Sequence, residues 1–145
     1  MSAETEVRAA SEKFYAALNR MVKGEAGTMS DVWSHGAQVT AFHPIGGRDI
    51  GWDKVGGSFD QVAKIASDGQ VKLADQIIQV AGDMACETGT EKGQVVLAGL
   101  SAAIDHRVTN VYRKENGSWR VVHHHTDMSP AMMDVLARLQ AKAEA

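Results

Sequence analysis

The dipeptide Asn116-Gly117 constrains this chain more than any other feature, because it joins two runs of strand-like residues, "AAIDHRVTNVYRK" and "SWRVVHHHTD". Asn-Gly favours a tight hairpin turn in which both residues take positive φ. Such a turn sets the pairing: Ser118 faces Glu115, Val121 faces Tyr112, His123 faces Asn110, and His125 faces Val108. Strand side chains alternate between faces. Trp119, Val121, His123 and His125 then share a face with Tyr112, Asn110 and Val108, while His124 stands on the other with Arg120, Val122, Thr126 and Val111. The first face is aromatic and apolar near the turn. It is expected to look into the protein, with His123 and His125 lining a cavity and His124 pointing away.

Earlier segments read as helices and a first strand. Val7, Ala10, Phe14, Ala17, Leu18 and Met21 mark one face of an amphipathic helix ending near Gly24. "TMSDVWSHG" carries a capping pattern, Thr28 with Asp31, and predicts a short helix stopped by Gly36. "AQVTAFH" predicts a strand closed by Pro44 and Gly46-Gly47. Trp52, Val55, Phe59, Val62 and Ala66 predict a second long helix ended by Asp68-Gly69, with Gly56 and Gly57 inside it relying on close packing. Strands "VKLADQIIQVA" and "MACETGTEKGQVV" follow, with turns at Gly82-Asp83 and around Gly99. Ser129 caps a last helix that has Pro130 at its first position. Helices first and antiparallel strands afterwards argue for an α+β fold.

Residues 1–145 are expected to form a single domain, since a chain of this length can bury a proper core. A net charge of -3 gives no reason to expect nucleic acid or an anionic membrane surface as partner. No apolar run approaches spanning length. The amino terminus lacks the apolar core of a secretory signal, and the single Cys86 cannot form an intrachain disulfide. A cytoplasmic location is the expectation.

"NVYRKENGSWRVVHHHTDMSP" resembles the closing hairpin of the nuclear transport factor 2-like superfamily. It is most similar to SnoaL-like domains and to the association domain of calcium/calmodulin-dependent protein kinase II, which shares the Gly-x-Trp turn, Val-His-x-His and a later proline. "AFHPIGGRDIGWDKV" is similar to the strand-to-helix passage of small members of that superfamily. The resemblance implies a cone-shaped, cystatin-like α+β fold: a curved, mostly antiparallel sheet around a long N-terminal helix, with a pocket between them, usually as a homodimer. The kinase domain has a pocket arginine where this chain has Asn110. Ketosteroid isomerase, another relative, has a tyrosine where this chain has Phe14, with Tyr15 one place along, and its base falls at His43. An isomerase mechanism of that kind is therefore not implied.

The candidate catalytic groups are His123, His125 and Glu87, the last sharing a strand face with Ala85, Gly89 and Glu91. Imidazole suits proton transfer near neutral pH. His43, Trp52, Asn110 and Tyr112 are the candidate ligand contacts. A bare pair of histidines falls short of the three or four ligands a metal site wants, so no metal is expected. No cofactor motif occurs either. The expected partner is an unidentified small molecule, bound by a pocket protein or a cofactor-free acid/base enzyme of the isomerase, cyclase or hydratase type. The alternative is a non-catalytic association or ligand-sensing module.

Overall fold

The computed structural model describes residues 2–144. Its order is α1 (Ala3–Met21), β1 (Thr40–Phe42), β2 (Arg48–Ile50), α2 (Trp52–Ile65), β3 (Ala66–Ala81), β4 (Met84–Leu97), β5 (Leu100–Glu115), β6 (Ser118–Thr126) and α3 (Pro130–Glu144). The strands form one curved sheet in the order β2-β1-β6-β5-β4-β3, antiparallel except where β1 runs parallel to β6. No helix among the described residues is long and apolar enough to cross a membrane.

The core lies between α1 and the concave face of the sheet. Ser2 caps α1 by accepting from the Thr5 amide, and Val7, Phe14, Leu18 and Met21 are buried along one face at helical spacing. Each contributes about 1.5–3 kcal/mol for leaving water. From the sheet, Ala85, Val95 and Leu97 on β4 and Ile104, Val108 and Tyr112 on β5 point the same way. Strong curvature needs bulges. β3 has two, near Asp68 and Asp75, both residues with positive φ. Gly93 of β4 sits where a Cβ would come 1.7 Å from the Gln70 carbonyl oxygen, so only glycine fits beside the first bulge.

Five expectations need correction. The segment at 28–36 forms turns rather than a helix: Ser34 donates to the Val121 carbonyl and Val121 to the Val32 carbonyl, so Trp33 is pinned to β6 and the chain cannot coil there. Arg48–Ile50 forms a strand that pairs with β1. α2 ends at Ile65 and runs straight into β3, with Gly69 donating instead to the Val22 carbonyl. Inside α2, Gly56 packs against its own helix's Trp52, where a Cβ would lie 3.0 Å from the ring, while Gly57 is open.

The fifth correction concerns the histidines. Glu115–Ser118 through Tyr112–Val121 pair as the Asn-Gly turn dictates, with φ of 51° and 82° at Asn116 and Gly117. Beyond that the register shifts by one: Val111 pairs with His123, Asn110 with His124, and Thr109 with His125. The extra residue is Val122. The bulge falls where the other edge of β6 changes partner, from Trp33 at Val121 to β1 at His123. It reverses every facing after Val122. His124 is buried inside, His125 is exposed on the outer face, and half-buried His123 bonds to Thr40 Oγ1 through Nδ1 at 2.6 Å.

Candidate functional site

A cavity of about 330 Å³ opens between the inner face of the sheet and the helices. Leu18 and Met21 of α1, Phe59 and Val62 of α2, Val95 and Leu97 of β4, Ile104 of β5 and Met132 and Leu136 of α3 make most of its wall apolar. Its polar groups are His43 from the loop after β1, Asp49 from β2, Ser58 and Gln61 from α2, and Glu91, His106 and His124 from the neighbouring strands β4, β5 and β6. Among the described residues no lysine or arginine lines it.

Two of these imidazoles are each tied to a carboxylate. His43 Nε2 lies 2.7 Å from Asp49 Oδ2, which also accepts the Ser58 hydroxyl at 2.5 Å. β2 supplies Asp49 and α2 supplies Ser58, so the unforeseen strand is what positions His43. His106 Nε2 lies 2.8 Å from Glu91 Oε1, both side chains almost wholly buried. Burial alone would raise the Glu91 carboxyl. The His106 hydrogen bond, the electrostatic pull of the His124 and His106 rings, and the Tyr15 hydroxyl, which donates to Oε2 at 2.9 Å, outweigh it and hold the group below the usual carboxylate range. The far nitrogen of His106, Nδ1, is buried without a partner.

His124 differs. Its Nδ1 is 2.6 Å from Asn110 Oδ1, and it packs between Phe14 and Phe59. Burial, aided by the nearby His43, His106 and His123 and opposed by Glu91, pushes its pKa down to about 4. At neutral pH it is an uncharged imidazole.

The expected residues divide accordingly. His43 lines the cavity. Glu87, Asn110 and Tyr112 are fully buried but lie behind the wall, joined to one another: Glu87 Oε1 accepts from Tyr112 at 2.7 Å and from Asn110 Nδ2 at 3.0 Å. They reach the cavity through His124 and, by way of the Tyr15 hydroxyl, through Glu91. Trp52 stands outside it, stacked on His35 with ring centroids 4.5 Å apart. His123 and His125 are on the opposite side of the sheet, packed edge-on against Phe42. Glu91 and His106 were not singled out as a pair, although a turn at Ala98-Gly99 counts them directly opposite. Among the described residues no group of three or more His, Cys, Asp or Glu is arranged to hold a metal ion.

A curved sheet closed around a helix, with a mostly apolar cavity and a few inward polar groups, defines the nuclear transport factor 2-like class. The SnoaL-like domain model matches residues 7–132, and the chain belongs to that family. Solved structures agree. A candidate dehydratase of this class from Streptomyces avermitilis is 25% identical, with 88% of this chain and 96% of that one covered at a TM-score of 0.74. A candidate calcium/calmodulin-dependent protein kinase type II association domain from Thiobacillus denitrificans is 28% identical, covering 84% and 94% at 0.64. A nuclear transport factor 2-like superfamily protein from Salmonella enterica has the same fold at 19% identity, covering 86% and 89% at 0.75. No curated protein matches the chain.

Proposed function

We propose that the chain binds a small, mostly apolar molecule in the cavity and moves protons on it without a cofactor, as an isomerase, cyclase or hydratase does. One observation carries this. His43 and His106 line the same cavity, and each has its Nε2 on a carboxylate, Asp49 or Glu91. A carboxylate on one ring nitrogen orients the imidazole and steadies the charge it gains on taking a proton. One histidine removes a proton from carbon. The other protonates the departing hydroxyl, which leaves as water, or returns the proton elsewhere. A cavity of about 330 Å³ suits a ligand of modest size, and apolar walls exclude competing water. The candidate dehydratase from Streptomyces supports the reaction class.

We also propose that the chain pairs with a second copy through the outer sheet face, where Val111 and Val122 lie half-buried among polar residues. Light scattering at micromolar concentration should report twice the chain mass, and a monomer would end that proposal.

The functional test is a thermal-shift screen of small hydroxy and carbonyl compounds, since a ligand of the folded state raises its stability. Hits are then followed by NMR for deuterium uptake at carbon or loss of water. Turnover that survives binding but disappears in His43→Gln and His106→Gln is expected. Hits that bind and never exchange a carbon-bound proton or lose water would leave a binding module in place of an enzyme.

A further inference from the structure

Arg8 stands at the exposed end of a hydrogen-bond chain that finishes at the cavity wall. A guanidinium only donates. Arg8 Nη1, 2.6 Å from Gln76 Oε1, therefore holds that carbonyl oxygen outward. The Gln76 amide nitrogen turns inward and donates to Glu87 Oε2 at 2.6 Å, and more weakly to Ser11 Oγ at 3.3 Å. Glu87 is fully buried and meets only donors, with Tyr112 and Asn110 on its other oxygen. Asn110 must keep its amide nitrogen toward Glu87 and toward the Tyr15 hydroxyl, 3.1 Å away. Its oxygen is left for His124, and an amide oxygen only accepts. The proton on the uncharged His124 ring is thus on Nδ1, and Nε2 is a bare acceptor on a residue that lines the cavity.

We infer that Glu87 and Asn110 are positioning residues that fix the His124 tautomer, and that the cavity selects neutral, largely apolar molecules bringing a hydroxyl donor to His124 Nε2, such as phenols and alcohols. Anions are disfavoured by the same wall, which carries Asp49 and Glu91 and, among the described residues, no lysine or arginine. A ketone or ether of the same shape faces His124 lone pair to lone pair. The ligand class rests on the pocket reading above, whereas the tautomer does not.

Two measurements on the full chain test this. In protein labelled with ¹⁵N-histidine, long-range ¹H–¹⁵N correlation reads the protonated ring nitrogen, with His124 identified by its loss in His124→Gln. Nδ1 protonated at neutral pH is expected, and Nε2 protonated overturns the inference. Affinity is then compared for 2-naphthol and its methyl ether, which share one ring body. Naphthol should bind wild type about tenfold more tightly, the worth of one good buried hydrogen bond. That advantage should shrink to near parity in Asn110→Leu and in the milder Glu87→Gln, with the His124 tautomer shifting toward Nε2. An unchanged tautomer and an unchanged preference in a folded variant of either residue overturn the positioning role. Equal binding of both probes to wild type overturns the ligand class while leaving the pocket reading intact. Binding of neither overturns both together.

Discussion

Glu91 and His106 stand directly opposite each other on β4 and β5, with Oε1 and Nε2 2.8 Å apart and about 4% or less of either side chain exposed. Burial of such a pair gives little net stability, but removing one member leaves the other uncompensated in a low-dielectric interior. Glu91→Ala should therefore cost about 3–5 kcal/mol. Asp127→Ala breaks a 2.8 Å pair with Arg107 that is open to water, and should cost far less, because solvent screens an exposed pair. Urea unfolding of the two variants compares them, and equal losses would contradict the burial of the inner pair.

The reversal at Val122 makes a second contrast. His124→Ala strands Asn110 Oδ1 inside the protein and should cost about 1–3 kcal/mol, whereas His125→Ala on the exposed face should fall within about 0.5 kcal/mol of wild type. The cavity should respond in parallel, His124→Ala altering ligand affinity and His125→Ala leaving it alone. Isothermal titration with any thermal-shift hit reads this, and the opposite pattern would restore the unbulged register.

Local signals in the sequence carried most of the element order and one residue of the cavity wall, His43. The Asn116-Gly117 turn correctly aligned Val121 with Tyr112, and period-two alternation placed Asn110 and Tyr112 on the inner face and grouped Glu87 with Ala85 and Glu91 without deciding which face was theirs. Counting back from Ala98-Gly99 in the same way also pairs Glu91 with His106. What stayed hidden depends on contacts distant in sequence. The bulge at Val122 arises because β6 takes Trp33 and then β1 as its second neighbour, and nothing within the hairpin announces that exchange. β2 is a three-residue strand held by β1, too short for a periodic pattern, so Asp49 was invisible as the partner of His43. The capping pattern at Thr28 and Asp31 lost to backbone hydrogen bonds with Val121. A one-residue slip moved two histidines out of the cavity and one into it, which is the characteristic cost of a period-two element.

Two glycines should respond oppositely to alanine. At Gly57 of α2 nothing lies within 4 Å of the added Cβ, and relief of backbone entropy in a helix interior should stabilise the protein by about 0.5–1 kcal/mol. At Gly93 the Cβ would collide with the Gln70 backbone. β3 and β4 must then separate, and Gly93→Ala should destabilise by several kcal/mol, on the order of the exceptional losses above about 4 kcal/mol. Thermal unfolding of both variants decides, and a tolerated Gly93→Ala would mean that the first bulge of β3 is not closed against β4.

Stability should fall as pH drops from 6.5 toward 4, and His124 should account for much of the fall. Its ring has a pKa of about 4 in the folded protein against 6.5 ordinarily, burial being the main cause. Between those values the unfolded chain holds a proton that the folded one does not, so stability rises with pH through this window. The contribution is complete above about 6.5 and is lost progressively toward 4. A gap of about 2.5 units at about 1.36 kcal/mol each gives roughly 3 kcal/mol over the full range. Glu91 works lower down. Its carboxyl is held below the usual range despite burial, by His106, His124 and Tyr15, so its contribution is lost only as pH falls through that depressed value. Urea unfolding at intervals from pH 7 to 4.5 should show wild type losing stability more steeply than His124→Gln, whose amide neither gains nor loses a proton. The remaining histidines are common to both proteins and cancel in the difference. Parallel curves would mean that His124 accepts its proton as easily folded as unfolded, and is therefore not enclosed beside Asn110.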